Sequence, residues 1–197
     1  MHEEPQPGPR REPSRRADAL RNRARILDAA LTELTADAGA PLSAIARRAG
    51  VGQATFYRNF PSRECLVLEV YRHEVDRVAA LAAPLLRAHA PDVALRVWLD
   101  RLARHALTKA GLAEALRRAS APGSLVGVGR APVTAAVTLL LDANTRAGTI
   151  RPGVTPDDFL LAIAGLWQLD PRSDWQGRAA RLLDLVMDGL RTGAPGP

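Results

Sequence analysis

Residues 42–60, LSAIARRAGVGQATFYRNF, constrain the fold of this chain more than any other stretch. Ala46 lies four residues before Gly50, and Phe56 six after it. That spacing predicts two short helices, at 42–49 and 53–59, joined by a tight turn. A small residue at 46 lets the two axes approach, a glycine takes the turn, and a large apolar residue anchors the second helix. Ile45, Val51 and Phe60 complete the apolar side, leaving Gln53, Thr55, Tyr57, Arg58 and Asn59 to point outward. Such side chains suit phosphates and base edges, so a DNA-reading helix-turn-helix is expected. The plainer alternative is a helical hairpin with a solvated face.

The charge distribution favours the first reading. The formal net charge is +6. Between Arg10 and Arg63 there are eleven arginines and five acids, a net +6, whereas residues 64–197 carry sixteen basic and fourteen acidic groups. The excess therefore sits on and just before the helix-turn-helix, where a phosphate-facing surface needs it.

Composition excludes several other classes. At 197 residues and 47% hydrophobic content the chain has enough apolar material for one large or two modest helical domains. No apolar run approaches the ~18–20 residues that span a bilayer. The opening MHEEP has no apolar signal core, so a cytoplasmic protein with no membrane partner is expected. A single cysteine, Cys65, rules out an intrachain disulfide and a cysteine-cluster metal site. One turn into an amphipathic helix, it is expected to be a buried hydrophobe.

Residues 1–16 hold four prolines and two arginine pairs, and are expected to form a disordered basic arm. Helical periodicity then predicts an all-α fold of about nine helices: 19–37, 42–49, 53–59, 62–83, 92–108, 112–119, 132–147, 155–169 and 173–191. Gly39 is a candidate C-cap for the first, and Ser62 an N-cap for the fourth. Pro84 is expected to end the fourth. The glycines of 120–130 mark a flexible loop, with neither the strand nor the Gly-Lys-Ser/Thr signature of a phosphate cradle. The domains expected are a helix-turn-helix unit at 17–70 and a second helical unit at 71–197, with the fourth helix bridging them.

Roles follow from position. Gln53 at the tip of the second helix is best placed for base edges, and Ala54 is small enough to meet a thymine methyl. Thr55 and Tyr57 offer hydroxyls to phosphate, Arg58 and Asn59 reach backbone or base, and Ser43 and Arg47 lie where the first helix crosses the backbone. One such unit offers too little contact for strong specificity, so a homodimer on a near-palindromic double-stranded operator is expected.

IARRAGVG, followed by TFYRNFPSRE, resembles the DNA-binding region of the TetR family of bacterial transcriptional regulators. The resemblance is dense over about residues 20–70 and only architectural beyond. One departure is Asn59, at a position commonly histidine in the family. The resemblance implies phosphate contacts by Tyr57 and Arg63. It further implies a four-helix interface between two subunits, and a repressor whose C-terminal helical domain binds a small-molecule effector that changes the spacing of the two DNA-reading heads.

Within the C-terminal part, Trp98, Leu102, His105, Leu116, Leu139 and Trp167 are the expected pocket lining, for a mainly apolar ligand. Leu160, Ile163, Leu182, Leu183, Val186 and Leu190 are the expected dimer interface, because the last two helices carry more apolar surface than one small domain covers. Histidines 2, 73, 89 and 105 are scattered and the acids are singletons apart from Asp157-Asp158, which a helix start explains. Neither a metal, a cofactor nor catalysis is expected. An effector-independent, architectural DNA-binding protein is the alternative. The 110 or so residues beyond the head speak against it, being more than dimerisation alone needs.

Overall fold

The computed structural model describes residues 12–108, 110–119, 129–170, 173–194 and 196. Every regular element among them is helical. In order these are α1 (Glu12–Ala36), α2 (Leu42–Arg48), α3 (Gln53–Asn59), α4 (Arg63–Ala79), α5 (Ala82–Ala88) and α6 (Pro91–Thr108). They continue with α7 (Ala110–Ala119), α8 (Arg130–Arg146), α9 (Pro156–Ala162), a 3-10 segment (Ala164–Gln168) and α10 (Trp175–Arg191). The all-α architecture expected from the periodicity is the one found. None of these helices is long and apolar enough to cross a membrane.

Several boundaries differ from expectation, each for a local reason. Residues 12–16, assigned to the disordered arm, already belong to α1. The rest of the arm, 1–11, lies outside the described residues, as do 120–128 of the expected loop. Gly39 does not cap α1 through positive φ; its amide donates instead to Asp37 Oδ1 at 2.7 Å, a side-chain turn. α4 stops at Ala79, short of Pro84, which sits in the first turn of the separate helix α5, where a missing amide costs nothing. At 17 residues α4 is about 25 Å long rather than 30. Cys65 is exposed, because the buried stripe of α4 runs one residue later through Leu66, Val67 and Val70.

Two apolar cores organise the chain. The N-terminal one joins Ile26, Ala30 and Leu34 of α1 to Ile45, Phe56, Phe60, Leu66 and Val70. The C-terminal one joins Leu95, Trp98 and Leu99 of α6 to Val137, Leu140 and Leu141 of α8, with Phe159, Leu183 and Met187. α4 feeds both, ending on Val78 in the second.

The division is not the one periodicity suggests. Leu112, Ala115 and Leu116 of α7 pack into the N-terminal core, although they are far along the chain. Gly111 is where this docking is tightest. A Cβ built on it would lie 2.4 Å from the Leu34 carbonyl oxygen and 2.5 Å from that of Thr35. Only a residue without a side chain lets α7 rest on the end of α1.

Polar groups pin the junctions. Trp98 Nε1 donates to the Val78 carbonyl at 3.0 Å, tying α6 to the end of α4. Fully buried Asn144 donates to the carbonyls of Pro91 (2.9 Å) and Leu140 (2.8 Å) and accepts from Thr149 Oγ1 (2.7 Å). A buried amide leaves little unsatisfied this way, as burial demands. Side-chain caps open α4, α9 and α10: Ser62, Thr155 and Asp174 accept from the amides of Cys65, Asp158 and Gly177.

Candidate nucleic-acid interface

α2 and α3 meet as the motif spacing requires. Ala46 is buried at their crossing, and Gly50 takes the turn with φ of 65°. The amides of Gly50 and Val51 bond back to the carbonyls of Arg47 and Ala46, both at 3.1 Å. Phe56 and Phe60, one turn apart, drive α3 into the N-terminal core with ring centroids 6.3 Å from each other.

That anchoring sets what α3 displays. Gln53, Ala54, Tyr57 and Arg58 are exposed and share the face opposite the two phenylalanines, while Thr55 and Asn59 lie half-buried along the border. Tyr57 is 47% exposed, its ring edge-on to Phe56 at 5.6 Å, so the hydroxyl projects from a supported ring. Ser43 and Arg47 of α2 are exposed as well.

Two side chains bond within the helix. Arg58 folds back, with Nε donating to the Ala54 carbonyl (3.2 Å) and Nη2 to Thr55 Oγ1 (3.1 Å). Asn59 Nδ2 donates to the Thr55 carbonyl at 2.8 Å, leaving its Oδ1 as the group to offer outward.

Arg63 has a structural task that sequence reasoning missed. Its Nη1 and Nη2 donate to the carbonyls of Ala40 (2.7 Å) and Ala38 (2.6 Å), closing the α1–α2 loop. A phosphate contact by Arg63 would share the guanidinium with these bonds. Beside it, the Ser62 hydroxyl and the Glu64 amide hold the Glu64 carboxyl below the usual carboxylate range, with Arg63 adding to the effect, as a first-turn acid should behave.

The residues expected to line a ligand pocket are not brought together. Trp98 and Leu102 belong to the C-terminal core and Leu116 to the N-terminal one, while Leu139 is 40% exposed. The Trp167 side chain lies outside the described residues. His105 is half-buried at the α4–α6 contact, its Nδ1 3.7 Å from Glu74 Oε2. Burial, and secondarily the Arg77 charge, push the imidazole below its ordinary value. The Glu74 carboxylate would act the other way, but it is already shared with Arg77 at 3.1 Å.

The expected dimer-interface set splits. Ile163, Leu183 and Leu190 face inward, buried in their own chain's core, and so are not available to a partner. Leu160 and Val186 are half-buried and Leu182 is exposed. The most exposed apolar side chains here are Leu161 (76%) and Leu185 (69%). A helix turns by about 100° per residue, so a shift of one or two positions separates the core face from the outer one. Between α9 and α10 lies an open groove of about 710 Å³ whose lining includes Val154, Phe159, Ala162, Leu185 and Val186.

A basic helix-turn-helix head with a supported polar face, joined to a mostly helical remainder, defines a DNA-binding regulator. Two family models divide the chain accordingly: bacterial regulatory proteins of the tetR family match residues 26–70, and the C-terminal domain of SbtR-like transcriptional regulators matches 90–192. Among solved structures, the TetR transcriptional regulator SCO0520 from Streptomyces coelicolor is 43% identical, with a TM-score of 0.71 over 86% of this chain and 98% of its own. The TetR transcription regulatory protein from Mycobacterium vanbaalenii is 36% identical, with a TM-score of 0.70 over 89% and 98% of the two chains. A search of curated proteins returned no match. The chain belongs to the TetR family of transcriptional regulators.

Proposed function

We propose that this regulator is a homodimeric repressor that binds a near-palindromic operator and is released by a small, mainly apolar ligand. The observation that carries the reading is the outward face of α3, where Gln53, Ala54, Tyr57 and Arg58 stand beside Ser43 and Arg47 of α2. In this reading Tyr57 and Arg47 grip phosphate, and Gln53 reads a base edge. Asn59 offers its free Oδ1, and Thr55 meets the backbone through its hydroxyl. The outward leucines of α9 and α10 support a second copy of the chain as partner, because the same patch on each subunit makes a self-complementary contact. Ligand binding is assigned to the C-terminal helical domain near Trp98, Leu102 and His105, beside the end of α4. No reaction is assigned, and the site of action is the cytoplasm.

Selection from a random duplex pool tests the reading. The expected product is a near-palindrome with two half-sites, bound as two chains per duplex. Binding of one chain to an asymmetric site overturns the dimer. A ligand shown by calorimetry to bind, yet leaving affinity for the selected duplex unaltered at saturation, overturns the release mechanism. About tenfold release corresponds to ~1.4 kcal/mol of coupling.

A further inference from the structure

We propose that Arg23 is a positioning residue for DNA reading: from α1 it clamps the C-terminal end of α3 to α4. The inference rests on the DNA-binding reading above. Three contacts converge on one guanidinium. Its Cζ stands 4.7 Å from the centroid of the Phe60 ring. Nη2 donates to Glu69 Oε2 on α4 at 2.6 Å, and Nη1 approaches the Asn59 carbonyl at 3.5 Å. Asn59 is the last residue of α3 and Phe60 its C-cap.

These contacts matter because α3 has only seven residues. A helix that short does not hold itself, so its orientation is set by what ties its two ends. The Gly50 turn and the bond from the Val51 amide to the Ala46 carbonyl fix the first end. Arg23 fixes the second. A cation beside a helix C-terminus is favoured by the dipole and meets carbonyls that lack partners in the helix. The flat guanidinium stacks on an aromatic ring while its fork reaches sideways, which an ammonium cannot do. Burial works to raise the Glu69 carboxyl, but hydrogen bonds from Arg72 and Arg23, with their charges, outweigh it and hold the group below its ordinary range. Glu69 therefore keeps its charge. A displacement of α4 would reach the DNA-reading face at this point.

The sign of one substitution separates positioning from direct contact. Removing a negative charge from a DNA-binding head should tighten binding to a polyanion if electrostatics alone acted. With the clamp, Glu69→Gln weakens binding to the duplex selected by the wild type by about five- to tenfold. Arg23→Gln does the same, Arg23→Lys recovers little, and the Arg23→Gln/Glu69→Gln double variant is no worse than either single one. Affinity for a scrambled duplex changes much less.

Glu69→Gln binding the selected duplex as tightly as wild type, or tighter, overturns the proposal. So does an Arg23→Gln variant whose plot of log affinity against log salt is shallower by about one, the mark of a lost phosphate contact. Equal losses on selected and scrambled DNA, tracking a fall in Tm, would make the clamp merely structural and also overturn it. Should Arg23→Gln fail to fold, the sign for Glu69→Gln decides alone. A wild type that enriches no duplex overturns the DNA-reading assignment itself, and the clamp with it.

Discussion

The N-terminal head and the α9–α10 face of the C-terminal domain treat their outward surfaces in opposite ways. On α3 every buried position is aromatic and the exposed ones are polar or small: Phe56 faces in, while Gln53, Ala54, Tyr57 and Arg58 face out. On α9 and α10 leucine appears on both sides, with Leu183 buried and Leu161 and Leu185 exposed. A surface meant for a polyanion gains from polar donors and arginine, since most contacts there go to phosphate. Large apolar residues left outside, Leu185 among them lining an open groove, underlie the proposal that a second copy of the chain covers this face.

The largest expected effect comes from making the second face behave like the first. Leu161→Glu with Leu185→Glu places four carboxylates in a symmetric interface, each costing about 2 kcal/mol or more if left unpaired. Sedimentation should then show monomers at micromolar concentration, with dimer affinity reduced by more than about 10³-fold, while each chain stays folded. Leu183→Ala makes the converse point. It should cost roughly 2–5 kcal/mol of chain stability by opening a cavity, seen as a lower denaturant midpoint. A double variant that dimerises like wild type would erase the contrast.

Gly111 tests whether the two regions are packed as one. Gly111→Ala should force α7 off the end of α1 and cost about 1–3 kcal/mol, or roughly 2–12 °C in Tm, by overpacking. An unchanged Tm would mean that the contact yields freely.

Within the head, Tyr57→Phe removes one hydroxyl and should weaken binding by about fivefold on every duplex sequence, whereas Gln53→Ala should relax preference at particular bases. Filter binding against the selected duplex and single-base variants of it distinguishes the two. Equal affinity of Tyr57→Phe and wild type at moderate salt would remove Tyr57 from the interface.

The smallest effect is the pH response of His105. Its imidazole is held below the ordinary value of 6.5 in the folded chain, so the unfolded chain takes up the proton first as pH falls. Any stability tied to the neutral ring is present in full above pH about 6.5 and is lost as pH falls through the lower folded value. Tm should therefore decline more gently below pH about 6 in His105→Gln than in wild type. A steeper decline in the variant would mean that the Glu74 carboxylate, not burial, governs the ring.

The head was largely legible in the sequence because its constraints are local. Gly50, Ala46 and Phe56 specify a turn, a crossing and an anchor within eleven residues, and the outward face of α3 follows by periodicity. The helix starts at Ser62 and Thr155 were legible for the same reason, since a cap acts within three residues. Arg23 and Arg63 were not. Their partners lie 36 to 46 and 23 to 25 residues away, and no spacing rule points from an arginine to a distant carbonyl or carboxylate.

In the C-terminal domain the residue types alone established helices and an excess of apolar surface. Which leucines close the core and which remain outside depends on the rotation of each helix about its axis, set only when neighbouring helices pack. The same holds for α7. Its apolar residues join the N-terminal core, where Gly111 lets two backbones approach to a distance that no side chain allows. Local chemistry determined the elements and the DNA-facing motif. Long-range packing decided the core each element joins and the face each one leaves exposed, because those choices depend on contacts between residues far apart in the chain.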